Sequence, residues 1–441
     1  MSLPLQPLVI TLLLLCGALP ANAAPERGTA VTDPLALREL DRGRFGLGRV
    51  LNPPRAAAKP LDNAEMFRYP SMAPVKSAID AEIDRYIARH LAELPGETIG
   101  VGDAFDFRLF DRALLTSGDT RFVLAGIVNR MDRAYVAEAS CGEIRLIYRL
   151  TRTDVLAAGE TLARLPVTLN VVLRARGEPA VDRDGQTITC AAIAQRWLAT
   201  SDLPLSGRDL AAKLQARDGP LDLVMPRNID RIEINLQIAH APKSARRDFR
   251  TDYLLKVFRY NAPARLFEEA PMENQIDRER VLADAGLARD FKAWLLDPAH
   301  FAELDRGTIL IPERFLARAA IAATPVGFAP SSLLPEFGLS EGEGSNPVFS
   351  EGDVVAALKK AASDGTSLQN IRSFGGFARR LNDITCAGCH QTRGIGGFHF
   401  PGVDWMAAKP SNATVVPASP HFFGDQARRR DILAALRDGK A

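Results

Sequence analysis

Cysteine and histidine are rare in this chain, five and six among 441 residues. An excess of one charge is also missing. Fifty-five basic and 53 acidic side chains leave a net charge of +2, so composition gives no basic face for nucleic acid. Beyond the N-terminus no apolar run approaches the roughly 18–20 residues that cross a bilayer, so no membrane span is expected. The phosphate-loop, nucleophile-elbow, zinc-protease and dinucleotide signatures are absent, and so are internal repeats and low-complexity tracts. These absences leave no catalytic class that the sequence names.

What remains is the composition of a globular chain, 46% apolar and 24% charged, long enough for two domains. The first residues differ from the rest. Leu8 to Cys16 form a short apolar run, followed by Gly17, Pro20 and Ala21-Asn22-Ala23-Ala24. An apolar segment ending in small residues of the A-x-A kind predicts a signal peptide over 1–23 and a periplasmic or secreted protein. Met1 to Gln6 lacks the usual Lys or Arg. A lipoprotein built on Cys16 is the lesser alternative, because Leu15 is bulky where a lipidation site takes Gly, Ala or Ser.

Cleavage leaves Cys141, Cys190, Cys386 and Cys389, an even number in an oxidising compartment. Cys386 and Cys389 belong together by spacing, so Cys141 and Cys190 remain as a disulfide pair or as two separate thiols. A bridge closing a loop of that length stabilises by about 4 kcal/mol in the chain-entropy account.

Alternating and β-branched runs predict strands at 122–128, 143–150, 166–173, 231–238 and 252–260. Helical spacing appears over 77–94, with Ile79, Ile83, Tyr86, Ile87 and His90. Ser206 with Asp209 reads as a capping box opening another helix. Residues 275–322 read as helical around a strand-like Thr308-Ile309-Leu310-Ile311. The mixture, without regular strand–helix alternation, predicts an α+β domain on a mostly antiparallel sheet over 24–323. A Pro- and Gly-rich linker follows over 324–349. A small helical domain over 350–441 has helices opened by Ser350 with Asp353 and by Thr366 with Gln369, and a last one over 425–436.

The second expected helix of that domain runs into Cys386-Ala387-Gly388-Cys389-His390, a C-x-x-C-H motif. Two thiols two residues apart reach both vinyl groups of a porphyrin, and the following histidine sits beneath the iron. Here the chain resembles the c-type cytochromes, over about a fifth of its length. The resemblance implies a small mainly α-helical cytochrome c-like domain with covalent haem c on Cys386 and Cys389 and His390 as proximal iron ligand. It also implies one-electron transfer with an unidentified redox partner protein. For the opposite iron face His399 ranks first, Met406 second and His421 third, with an open or water-bound position also allowed. The nine residues from His390 to His399 reach about 30 Å when extended. Two other readings stay open: a zinc site of Cys386, Cys389, His399 and His421, and a disulfide or redox-active thiol pair. In either, the protein would be a periplasmic binding or structural protein.

Elsewhere His90 reads as a packed surface histidine and His240 and His300 as incidental. Asp182 to Gly185 read as a turn, and Arg428-Arg429-Arg430 as a solvated basic face able to steer an acidic partner.

Overall fold

The computed structural model describes residues 26–52, 60–156, 159–242, 250–324, 339–340, 347–392 and 420–440. The expected signal peptide, His399 and Met406 lie outside them. The fold is α+β, built on one ten-stranded sheet. Its strands are β1 (Ala30–Val31), β2 (Ile99–Gly100), β3 (Phe107–Leu109), β4 (Thr120–Arg130), β5 (Glu143–Leu156), β6 (Gly159–Arg174), β7 (Ile229–His240), β8 (Thr251–Asn261), β9 (Leu266–Ala270) and β10 (Ala319–Thr324). The order is β1-β4-β5-β6-β7-β3-β2, and β8 joins β7 to β9 and β10. Every pairing is antiparallel except β2 with β3.

Helices α1 (Pro34–Arg42), α2 (Leu47–Leu51), α3 (Asn63–Met66) and α4 (Ala73–Glu93) precede the long strands. Between β6 and β7 come α5 (Cys190–Leu198) and α6 (Gly207–Gln215). After β9 follow α7 (Arg278–Ala283), α8 (Ala285–Leu295) and α9 (Pro298–Arg306). Beyond β10 lie α10 (Glu351–Ser363), α11 (Phe374–Asp383), α12 (Cys386–Thr392), α13 (Pro420–Gly424) and α14 (Gln426–Arg437).

Alternation along the strands divides the sheet into two unlike faces. Ile144, Leu146 and Tyr148 of β5, with Leu169 and Val171 of β6 and Ile234 of β7, enter the main core. The positions between them are mostly polar, with Glu143, Arg145, Arg149, Thr168, Arg231 and Glu233 beside the apolar Ile147 and Val172. That polar face is largely removed from water, with Arg149 1% and Arg145 8% exposed. Helix α12 packs on β10 over part of it, where Ala387 meets Leu255, Met272, Ala320 and Ala322.

A second core runs from Ile276 to Phe315 and on through Phe349, Val354, Phe377 and Ile384. It therefore draws on both sides of the expected 324–349 linker, because α9, α10 and α11 bury their apolar faces against one another. Helix α14 packs instead on α5, and Leu433 enters the sheet's core. The chain's last helix thus belongs with its first domain.

Several local expectations change for identifiable reasons. Thr308 to Ile311 form no strand: the Asn274 amide donates to the Ile309 carbonyl and accepts from the Ile311 N–H, taking the place of a strand partner. Residues 319–322, expected as helix, belong instead to β10, which pairs along β8. The helix expected from Thr366 begins at Phe374, capped by Ser373, because the Asp305 carboxylate captures the N–H groups of Gln369, Asn370 and Ile371. Ser206 caps α6 by position but makes no side-chain cap bond. Ser350 and Asp353 form the reciprocal capping box. His90 is 4% exposed and lies against Phe107 inside the core, not at the surface.

Cys141 and Cys190 form a disulfide with Cα atoms 5.4 Å apart, fastening the start of α5 to the turn before β5. Between them, Asp182 to Gly185 form the expected turn. The Asp182 carboxylate accepts from the N–H groups of Asp184 and Gln186. Among the described residues no helix is long and apolar enough to cross a membrane.

Candidate functional site

Helix α12 presents the C-x-x-C-H motif to the polar face of the sheet. Its start is fixed by three contacts. The Ala387 N–H donates to the Gln275 side-chain oxygen at 2.9 Å, and the Gly388 N–H to Thr385 Oγ1 at 2.9 Å. Thr385 Oγ1 in turn donates to the Asn382 carbonyl at 2.8 Å. Gly388 is held so closely that a Cβ there would stand 1.9 Å from the Asn382 carbonyl oxygen. Only glycine fits here, in the first turn of α12 where the chain passes close to the end of α11.

Cys386 and Cys389 carry thiols and both line one cavity of about 520 Å³ between α12 and the sheet. Cys386 is half-buried, and its Sγ donates to the Glu273 carbonyl at 3.7 Å. Burial, followed by the nearby carboxylates of Glu233 and Glu273, pushes its thiol well above the ordinary range. Cys389 is buried. One part of the cavity wall is apolar, with Leu255, Met272, Ile311, Leu316 and Ile384.

The other part is a ladder of charge on β5 and β7. Glu143 accepts from Arg133 at 3.2 Å, Arg145 at 3.0 Å and Arg231 at 2.8 Å. Glu233 accepts from Arg145 at 2.9 Å and Arg231 at 3.0 Å. Arg133 also pairs with Glu273. Burial disfavours the charge on Glu143, but Arg231, Arg133 and Arg145 outweigh it and hold the carboxyl well below the usual range. Arg174 and Arg259 complete a rim of five arginines around the cavity. On its floor, the side-chain oxygens of Asn170 and Asn235 are buried without a hydrogen-bond partner among the described residues.

The sequence-named residues are therefore partly united. Cys386 and Cys389 share the cavity. His390 follows them in α12, and His421 lies in α13; both are placed by backbone alone. His399 and Met406 fall outside the described residues. Among those residues no group of three or more His, Cys, Asp and Glu stands ready for a metal ion. His240 lies elsewhere, with a pKa lowered to about 4 by burial and by Arg108, and the His300 ring meets the Trp294 carbonyl.

Of Arg428-Arg429-Arg430, expected as a solvated face, Arg428 is exposed, Arg430 is half-buried and Arg429 is buried. Arg428 bridges Asp425 and Asp132, Arg429 is 3% exposed beside Asp425, and Arg430 donates to the Arg27 carbonyl. Arg428 fastens α14 to the turn after β4, Arg430 ties it to the segment before β1, and Arg429 pairs with the residue that precedes its own helix.

The charged ladder was not visible as a site in sequence. Its signal, the alternation Arg231-Ile232-Glu233-Ile234, is also that of a strand with one face in water, and periodicity does not separate water from a polar cavity. No known protein family, curated protein or solved structure matches this chain.

Proposed function

We propose that this protein is an exported monohaem c-type cytochrome-like protein whose role is one-electron transfer to or from a redox partner protein. One observation carries the reading: both thiols of the single C-x-x-C-H motif open onto the same cavity of about 520 Å³. That size lies within the roughly 300–1,000 Å³ of small-molecule and cofactor sites. The donor set fits the group. Cys386 and Cys389 would hold haem c covalently, and His390 would be its proximal iron ligand. The apolar wall around Met272 and Leu255 suits a porphyrin face. The arginines of the opposite wall suit its carboxylate substituents, and the unpartnered amide oxygens of Asn170 and Asn235 mark that wall as built for a polar guest.

When bound, haem c supplies a one-electron iron couple. The chain's own contribution is to orient α12 through Gln275, Thr385 and Asn382, and to place fixed guanidinium charge nearby. For the sixth position His399 remains the first candidate and Met406 the second. Export is consistent with the Cys141–Cys190 disulfide, which persists in oxidising compartments.

The test is a pyridine haemochrome spectrum on protein secreted by a host that matures c-type cytochromes. About one covalent haem per chain is expected, lost when Cys386→Ala and Cys389→Ala are combined. A colourless wild-type protein carrying stoichiometric zinc would overturn the reading.

A further inference from the structure

The opposite face of the sheet holds a second cavity of about 520 Å³. Its walls are unusual in charge. Arg44, Arg49, Arg183 and Arg227 line it, and among the described residues no aspartate or glutamate does. The rest of the wall is apolar, including Phe45, Val50, Leu146, Leu173 and Met225. Leu146 and Leu173 point away from Arg145 and Arg174, which line the thiol cavity. The sheet's thickness therefore separates the two sites.

The four arginines are positioned more than they are neutralised. Arg44 donates to the carbonyls of Leu221 and Val224, the latter at 2.8 Å, and its guanidinium lies over the Phe45 ring at 4.8 Å. Arg227 donates to the Val181 carbonyl at 3.1 Å. Carbonyl partners fix direction without cancelling charge. Arg183 pairs with Asp222 at 2.8 Å, a carboxylate shared with Arg196. Arg49 has neither a hydrogen bond nor an ion pair among the described residues, and it faces the same cavity. With five donors on each guanidinium, N–H groups remain unspent on every wall. Four cations and one adjoining carboxylate leave the site strongly positive. Arg183 and Arg227 are exposed and water screens their repulsion, while a bound anion would be attracted by all four guanidiniums.

We propose that this cavity binds an amphipathic organic anion: one acidic head group, carboxylate or phosphate, taken by the arginines, on an apolar body seated against Phe45, Leu146 and Leu173. The head group sets affinity through charge-assisted, bidentate bonds, and the body adds burial of hydrocarbon. The site is independent of the thiol cavity and of any haem.

The test is isothermal titration calorimetry on the full secreted protein. The probes are decanoate, decyl phosphate, decanol, decyltrimethylammonium and inorganic phosphate. Decanoate and decyl phosphate are expected to bind at least tenfold more tightly than the neutral, cationic and purely inorganic probes, and to weaken as salt is raised. The combined Arg49→Gln and Arg227→Gln variant should lose tenfold or more for both anions and leave decanol unchanged. Met225→Trp, which fills the cavity, should lose all alkyl probes while melting as a folded protein. Equal binding of decanol and decanoate would overturn the proposal. So would inorganic phosphate binding as tightly as decyl phosphate, anion binding indifferent to the arginine replacements, or no anion binding at all. Anionic vesicles as a further probe distinguish a lipid head group from a free acid, since only the latter is bound without a bilayer.

Discussion

Single residues carry sharp consequences at three places. Gly388→Ala drives a methyl group into the Asn382 carbonyl and, at 2.8 Å, against Thr385 Oγ1. Backbone on one side cannot give way cheaply, so a loss of about 1–3 kcal/mol in denaturant stability is expected, with less of the proposed haem attached. Glu143→Gln leaves Arg133, Arg145 and Arg231 facing one another without their shared carboxylate. Breaking a buried charge network of this kind costs about 3–5 kcal/mol, read as a lower urea midpoint. His240 has its folded pKa lowered from 6.5 to about 4, by burial first and Arg108 second. Between those values the unfolded chain takes up the proton and the folded chain resists it. Stability is therefore full above about pH 6.5 and falls as pH drops towards 4. His240→Gln should flatten that part of the stability profile; an unchanged slope would assign it to other groups.

At the scale of elements, the disulfide makes a separable contribution. Replacing Cys141 and Cys190 by serine frees a loop of about fifty residues and should lower unfolding stability by about 4 kcal/mol. The same loop bears Arg183, so the double variant should also weaken anion binding in the second cavity. The five longest strands were legible because their alternation is strong, as in Arg231 to Ile238 with every second residue in the core. Strand β10, Ala319-Ala320-Ile321-Ala322-Ala323-Thr324, was not. Its small side chains give no strand signal, yet they are what lets α12 lie close to the sheet at Ala387. Ser350 and Asp353 announced α10 correctly, since a capping box is a local device. The start of α11 depended on Asp305, more than sixty residues away, and no local pattern reveals such a partner. In the candidate site the two thiols were legible from their spacing. The arginine and glutamate ladder that faces them was not, because it is assembled from strands distant in sequence.

For the whole molecule, the sheet has two unlike faces and each holds a cavity. The core face continues into α1, α4, α5 and α14, while the polar face is roofed by the helix that bears Cys386 and Cys389. The second core ties α7–α9 to α10 and α11, the helices that lead into the motif-bearing one. This arrangement makes the charged strands of the sheet domain the immediate surroundings of the proposed haem, and they would be expected to set its potential. Replacing Arg145 by Met should shift that potential downward in a redox titration, because removing a nearby positive charge favours the oxidised iron. The most direct measurement of the central claim is the mass of the proteolytic peptide containing Cys386 to His390, from protein secreted in a cytochrome c-maturing host. The expected peptide carries one haem covalently attached, with both thiols consumed. The same peptide recovered with two unmodified thiols, or with an internal disulfide, would contradict it.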